Sequence, residues 1–344
     1  MSEAVFAIPG DKDRRTGGFI YEATVLRVLN EIGCPTEHLV LPDSFPDPTP
    51  ADMAETLSLL RAIDRPIILD GLVFGAIDPA GLASVPAPVI AMIHHPLGLE
   101  TGLPADRAAF LLRNEAKAIR HAAHILVPSP ETARVLAADF GADPQRITVA
   151  LPGFDRPNAQ RQPVDPPLIL SVGLLAERKG HDILLSALAQ ITDLPWQAEI
   201  VGKTHDPETA EALFYQATDL ALTDRITFAG ELSANDLATR FTQASLFALA
   251  TRYEGYGMVL SEAMTFGLPV VTTRVGAVPD TVGNAALLVP PDDPDAFAGA
   301  LRQLLENVDA LQAYAALSQE RANALPTWTD TAQIFADTIG ALRK

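Results

Sequence analysis

Residues 253–271 read Tyr253-Glu-Gly-Tyr-Gly-Met-Val-Leu-Ser-Glu-Ala-Met-Thr-Phe-Gly-Leu-Pro-Val-Val271. The stretch runs from a glycine loop through a helix into a strand, one step of an α/β layer. Gly255 and Gly257 remove the Cβ atoms that would hold a ligand off the backbone. Helix formers from Met258 to Thr265 follow, stopped by Gly267 and Pro269 before the apolar Val270-Val271 pair. The exposed N–H groups at the start of such a helix suit a phosphate. Glu262 lies four residues in, about 6 Å along the axis at ~1.5 Å per residue. Helical side chains lean toward the N-terminus, so its carboxylate reaches a group just beyond the phosphates. An ionised carboxylate only accepts hydrogen bonds, and the two hydroxyls of a ribose are donors. With Glu254 at the other side of the glycine loop, the pattern points to a nucleotide-sugar site.

The same rhythm extends in both directions. Val5–Ile8, Leu39–Leu41, Ile67–Leu69, Val89–Ile93, Ile125–Val127 and Ile147–Val149 read as buried strands. Helical patterns at Phe19–Glu31, Asp52–Ile63, Arg107–His121 and Glu131–Ala138 lie between them, with Gly, Pro and Asp at the joins. Alternation of this kind predicts a parallel sheet with helices on both faces. Gly153 to Pro167 breaks it: the segment is polar and proline-rich without an apolar period, as expected of a semi-rigid linker. Strands then resume at Leu168–Val172, Ala198–Val201, Ile226–Phe228, Leu246–Leu249 and Val270–Thr272. Trp328 to Leu342 forms a last helical pattern, set off by Pro326 and capped by Thr327 or Thr329. The expected organisation is a first α/β domain over 1–157, a second over 158–326, and a helix over 327–344 that packs on either one.

At 344 residues the chain is comfortable for two domains. Its formal charge of -18 argues against nucleic acid, which is usually bound through a basic face. A phosphate ligand must therefore be held by a few local cations and backbone dipoles. Cys34, the only cysteine, reads as a small buried residue rather than a nucleophile, and the absence of an intramolecular disulfide fits a reducing cytoplasm. The N-terminus lacks the basic region of a signal peptide. Stretches such as Pro66 to Ile77 contain Asp70 and fall short of the ~20 residues that span a bilayer, so a soluble chain is expected.

Four further clusters bear on chemistry. In Ser171-Val-Gly-Leu-Leu-Ala-Glu-Arg-Lys-Gly180, Gly173 follows a strand, and Arg178 and Lys179 precede a helix. A planar fork beside a compact charge suits a diphosphate, although two basic residues in a loop are by themselves ordinary surface. Arg14-Arg-Thr-Gly-Gly-Phe19 places Gly17 and Gly18 at the carboxyl edge of the first strand, where open α/β sheets bind ligands. It is not the G-x-G-x-x-G dinucleotide fingerprint. His94-His95-Pro96 ends the strand Val89–Ile93, where a histidine either caps the strand or meets a sugar and shuttles a proton. No cysteine or carboxylate stands at metal-ligand spacing from this pair and no H-E-x-x-H occurs, so no metal site is expected. Arg113, Lys117 and Arg120 share a helical face with Phe110 one turn earlier. That face reads as solvated surface, with contact to anionic lipid as the alternative.

With these residues in hand, the chain resembles the family-4 glycosyltransferases of the GT-B architecture. The specific element is E-x7-E from Glu254 to Glu262, followed by Ala263-Met-Thr-Phe-Gly-Leu-Pro-Val-Val271 and Gly276-Ala-Val-Pro-Asp280. Val172-Gly173…Arg178-Lys-Gly180, the Gly17-Gly18 turn and Phe228-Ala-Gly230 fall in the family's order. The resemblance implies two Rossmann-like domains facing a central cleft. It implies metal-independent transfer of a hexose from a nucleoside-diphosphate sugar, with retention of configuration and no cofactor. By motif, Glu262 binds the ribose, Arg178 and Lys179 the diphosphate, and Glu254 with the backbone of Gly255, Tyr256 and Gly257 the sugar. Met258 and Val259 at the helix start and Gly173 join the donor-binding set, as do Gly17 and Gly18 beside the phosphates. The residues from Phe228 to Glu231 and Leu232 frame the base. His94 is the first-domain histidine near the sugar and, with Glu254, the implied catalytic group.

The implied partners are a nucleotide sugar, UDP-linked or GDP-mannose, and a sugar, lipid or small-molecule acceptor. No nucleic acid and at most peripheral contact with the inner face of a membrane are expected. Leu174 stands where many members have an arginine, Gly276-Ala277 where they have Gly-Gly, and Asp280 where they have Glu. The arginine's loss is what favours the alternative, a catalytically silent nucleotide-sugar-binding subunit of a glycosylation complex. A nicotinamide-dependent Rossmann enzyme is disfavoured by the missing fingerprint.

Overall fold

A computed structural model of the chain describes residues 2–100, 102–157 and 160–343. These fall into two compact units, Met1–Gly153 with Pro326–Lys344, and Phe154–Leu325.

The first unit is built on six parallel strands: β1 (Ala4–Pro9), β2 (Thr36–Leu41), β3 (Ile67–Asp70), β4 (Val89–Met92), β5 (His124–Val127) and β6 (Ile147–Val149). Their order in the sheet is β2-β1-β3-β4-β5-β6. Every residue of β1, β3 and β4 is buried, which is why these strands read as apolar runs, with Asp70 at the end of β3 the one charged residue among them. The order reverses between β1 and β3, and in doubly wound sheets ligands collect outside the carboxyl ends of the strands at that point. The helix Trp328–Leu342 belongs to this unit. A capping box between Thr327 and Asp330 starts it. Phe335 and Ile339 are fully buried, with the Phe335 ring 6.4 Å from Phe6 and 6.1 Å from Tyr21.

The second unit carries β7 (Leu168–Val172), β8 (Gln197–Val201), β9 (Ile226–Gly230), β10 (Leu246–Leu249), β11 (Val270–Thr273) and β12 (Ala286–Val289). They form a parallel sheet in the order β12-β11-β10-β7-β8-β9. Here the winding reverses between β7 and β10, which pair directly through Leu246 with Ile169 and Phe247 with Leu170. Clusters centred on Leu185, Trp196 and Phe297 and on Phe247, Leu260 and Met264 form its core.

The alternation predicts both sheets; β12 and the short helix Gly71–Ala76 go unread. That helix is buried almost throughout and has no polar face to set a period. The expectation of a linker over 153–167 needs correction. From Phe154 on, its described part is pinned to the second unit. Gln162 and Val164 donate their N–H groups to Thr242 and Gln243 at 2.8 and 3.0 Å. The Arg161 guanidinium donates to the carbonyls of Ala244, Ser245 and Gly267. Phe154 stacks on Tyr256, with centroids 6.2 Å apart. The segment lacks an apolar period because backbone and guanidinium hydrogen bonds hold it rather than a buried stripe; Asn158 and Ala159 lie outside the described residues.

Candidate functional site

At the reversal of the second sheet, the loop after β7 (173–180) meets the loop after β10 (250–257). Glycine lets them approach. Gly180 adopts φ +64°, and a Cβ there would lie 1.9 Å from the Ala250 carbonyl oxygen. The Arg252 N–H and the Thr251 hydroxyl both donate to the Arg178 carbonyl, at 2.7 and 3.0 Å. The Arg252 guanidinium bonds both carboxylate oxygens of Asp182, at 2.9 and 2.7 Å. It also bonds the Glu177 carbonyl and Asp292. Sequence reading missed this clamp, since its partners lie on other loops and only its place next to Tyr253 hints at it.

Across the join, the buried Lys179 ammonium meets the buried Glu254 carboxylate at 2.5 Å. Glu254 Oε1 also accepts from Thr251 Oγ1 at 3.1 Å. The two residues that the motifs assign to diphosphate and sugar thus form one ion pair. Gly173 lies along the Lys179 stem, where an added Cβ would sit 3.2 Å from Cδ. A third loop closes over Glu254: Gly276 takes φ +45° with its Cβ position 2.4 Å from the Glu254 carbonyl oxygen. Ala277 N–H donates to that same oxygen at 3.0 Å. Ala277 itself has φ -79°, ordinary for any residue. The departure from Gly-Gly is therefore harmless at its second position.

Gly257, at φ +86°, starts the helix Met258–Thr265 without any side-chain cap. The first-turn N–H groups are thus left to the backbone or to a ligand. Gly255, Met258 and Val259 are half-buried around this opening. Tyr256 turns its ring inward onto Phe154 and its hydroxyl to Ser261 at 3.2 Å, so its side chain is taken up by the protein. Glu262 is half-buried, and no protein group hydrogen-bonds its carboxylate among the described residues. Desolvation pushes its pKa up to about 7. Glu231 is exposed and Leu232 half-buried just past β9. That edge lies two strands from β7, about 10 Å at ~4.8 Å per strand. Leu174 is half-buried in the loop after β7.

In the first unit, Gly17 and Gly18 open the helix Gly17–Glu31 after β1, and His94 follows β4. Gly18 backs onto the histidine: an added Cβ would lie 3.3 Å from His94 Cδ2. Tyr21 meets the ring edge-on at 5.3 Å. Burial holds the His94 pKa down to about 4, with Asp70 opposing, so the ring is neutral at pH 7. His95 pairs instead with Glu100 at 2.6 Å. The expected lack of a carboxylate at metal-ligand spacing from His94 holds only along the chain. Glu22 and Asp70, from other elements, come within 4.8 Å of it and of each other. Phe110, Arg113 and Lys117 are exposed on the helix Ala105–Ala118 and Arg120 on the 3-10 turn that follows it, with Arg107 stacked over Phe110 at 5.1 Å. No helix among the described residues is long and apolar enough to cross a membrane.

Comparison with known proteins agrees with this architecture. Residues 155–321 match the family described as Glycosyl transferases group 1, and residues 28–156 that described as Glycosyltransferase Family 4. A D-inositol 3-phosphate glycosyltransferase of Acidothermus cellulolyticus is 31% identical over 216 residues, 56% of this chain and 48% of that protein. A mannosylfructose-phosphate synthase of Agrobacterium fabrum is 26% identical over 230 residues, 61% of this chain and 51% of the relative. The chain spans about half the length of these curated relatives. Among solved structures, a sucrose-phosphate synthase from Thermosynechococcus elongatus superposes with a TM-score of 0.85 at 21% identity, covering 99% of this chain and 100% of that one. Anabaena HepE, in complex with UDP and glucose, gives 0.80 at 19% identity with the same coverage. At such identities the likeness is one of fold. Two adjoining family matches over most of the chain and two parallel six-stranded sheets place it among the family-4 glycosyltransferases of the GT-B architecture.

Proposed function

We propose that the protein is a retaining glycosyltransferase that moves a hexose from a nucleoside-diphosphate sugar, UDP-linked in preference to GDP-mannose, to a hydroxyl of a sugar, lipid or small-molecule acceptor. The observation that carries the reading is the Lys179–Glu254 pair at the reversal point of the second sheet, beside a helix start with no side-chain cap. Arg178 and the first-turn N–H groups receive the diphosphate, with Lys179 shared between it and Glu254. Glu262, desolvated and without a protein partner, accepts from the ribose hydroxyls. Glu254 and the backbone of Gly255 and Gly257 hold the hexose, and the strand end at Glu231 and Leu232 borders the base. Negative charge grows on the diphosphate as the glycosidic bond breaks, and fixed cations stabilise that charge more in the transition state than in the ground state. These cations do the work of a metal, so turnover is independent of one. Solved Anabaena HepE holds UDP and glucose in the same fold, which supports the choice of donor.

The test is a panel of UDP- and GDP-sugars, with and without EDTA, read by release of nucleotide and by the anomeric configuration of the product. Nucleotide release from one donor that survives EDTA, with retained configuration, is the expected result. Binding of UDP without donor hydrolysis or transfer would identify the silent subunit instead.

A further inference from the structure

The first unit holds a group of side chains that the donor site does not use. Asp70 ends β3 and caps the helix Gly71–Ala76, its Oδ1 accepting from the N–H groups of Leu72 and Val73 at 2.8 and 3.3 Å. Glu22 lies on the helix after β1, fully buried, with Oε2 left without a hydrogen-bond partner, and it offers a carboxylate oxygen within 4.8 Å of one on Asp70. Two carboxyl groups this close and this buried do not both ionise, so one of them holds a proton. Glu22 Oε1 faces His94 Nε2 at 3.1 Å. All three groups gather where the first sheet reverses, between β1 and β3 with β4 beside them. The reversal point of the second sheet carries ion-paired loops; this one carries two buried carboxyl groups beside a histidine.

We propose that Glu22 and Asp70 share a proton and act through His94 as positioning residues, fixing its ring as the neutral Nε2–H tautomer. Asp70 takes two backbone donors on Oδ1, which leaves its other oxygen for the unpartnered Oε2 of Glu22. The shared proton lies on that contact, which leaves Glu22 Oε1 as an acceptor. His94 Nε2 then donates to it, and the Nδ1 lone pair faces outward. Nδ1 has no hydrogen bond among the described residues, and the side chain is 21% exposed. What it can take is a hydroxyl that donates, such as one of a sugar. The inference deepens the role given to His94 and rests on the glycosyltransferase reading for its catalytic consequence only; the tautomer stands without it.

The other groups against the cluster do not supply this proton. The Tyr21 hydroxyl is engaged with the Ala150 carbonyl at 2.8 Å, and burial raises its pKa. His95 is turned to Glu100. The Thr132 hydroxyl donates to the His94 carbonyl, not to the ring. Burial raises the Asp70 pKa and lifts that of Glu22 to about 8, so the pair keeps a proton at neutral pH. His94, Glu22 and Asp70 each offer an atom within 4.8 Å of the others, and EDTA distinguishes a bridging cation from the shared proton.

Nitrogen-15 NMR of the histidines in the full-length protein, with His94→Gln assigning the signal, reads the tautomer directly. The expected result is Nε2–H at pH 7, unchanged by EDTA, changing as the pH rises past about 8. Glu22→Gln mimics the protonated acid: its amide donates to Asp70 and its oxygen accepts from His94. It should hold the same tautomer with no alkaline change. Glu22→Ala should lower kcat about tenfold or more, as wrongly oriented imidazoles do, with the UDP Kd within about twofold. Glu22→Gln should recover most of that loss and flatten the alkaline limb of the pH profile. An Nδ1–H or doubly protonated His94 at pH 7 overturns the proposal, and so does an EDTA-sensitive signal. Equal kcat losses in Glu22→Gln and Glu22→Ala overturn it too. If no donor is turned over while the tautomer is as stated, the glycosyltransferase reading has failed and the proton-sharing pair has not.

Discussion

Glu262→Gln separates binding from stability at one position. The carboxylate sits without a protein partner, and desolvation lifts its pKa from 4.5 to about 7. A carboxyl group with a raised folded pKa contributes stability that is fully present below its unfolded value near 4.5. That stability is lost as pH rises through about 7. The gap between the two values, at about 1.4 kcal/mol per pKa unit, sets a ceiling of ~3 kcal/mol on the loss. Residual hydration of a half-buried group makes about 1–3 kcal/mol the expected range. Glutamine keeps the shape and cannot ionise, so the variant escapes that loss. Urea unfolding at pH 5 and pH 8 should therefore show Glu262→Gln gaining on the wild type by about 1–3 kcal/mol between the two pH values. Binding moves the other way. The amide loses charge-assisted hydrogen bonds worth roughly 1.5–3 kcal/mol each, so calorimetry with UDP at pH 8 should show a Kd raised about tenfold or more. Wild-type affinity should fall as pH drops below about 7, because the bound ribose needs the ionised form, while the variant's affinity stays flat. A variant that binds UDP as the wild type does, or whose stability tracks the wild type at both pH values, would falsify the assignment of Glu262 as the ribose acceptor.

Arg178→Ala should raise the Kd for UDP about tenfold or more, by loss of a charged hydrogen bond, and leave uridine within about twofold. Equal losses for both ligands would remove Arg178 from the diphosphate. For the Lys179–Glu254 pair, Lys179→Met and Glu254→Gln should each cost about 3 kcal/mol in urea unfolding at pH 7, since each strands a buried charge. The double variant should cost clearly less than the sum, whereas additive losses would show that the pair is not coupled. Gly276→Ala forces a Cβ to within 2.4 Å of the Glu254 carbonyl at φ +45° and should cost at least about 2 kcal/mol. Ala277→Gly, at an ordinary φ, should cost no more than about 1 kcal/mol; equal costs at the two positions would contradict the described loop.

Much of the second unit's site was legible along the chain because its parts are local. Gly257, Glu262, Gly267 and Pro269 specify a loop, a carboxylate one turn into a helix and a stop within a single stretch, and the helix runs from Met258 to Thr265 as those residues predict. The sheets were legible for a similar reason, since strands buried on both faces need no partner to be recognised. What was hidden depends on separation. Lys179 and Glu254 lie 75 positions apart, and nothing in either local pattern says that they meet. Arg252 looks like any loop arginine until Asp182 and Asp292 arrive from two other connections. Glu22 reads as one polar position on an amphipathic helix and Asp70 as a break in an apolar run. Only the winding of the first sheet sets them against His94. The short helix Gly71–Ala76 was hidden for the opposite reason: it is apolar all round, and periodicity needs a solvated side.

The helix Trp328–Leu342 gives the chain an order of assembly. It completes the core of the first unit, yet it is synthesised after the whole of the second. Until it emerges, the face of Phe6 and Tyr21 that Phe335 covers stays open to water. At about 5–20 residues per second, translation of the second unit takes on the order of 10–30 s. A nascent chain therefore carries an apolar notch in its first unit while its second unit is free to fold, and that notch is where a chaperone or a neighbouring nascent chain would attach. Removing the helix would make that interval permanent.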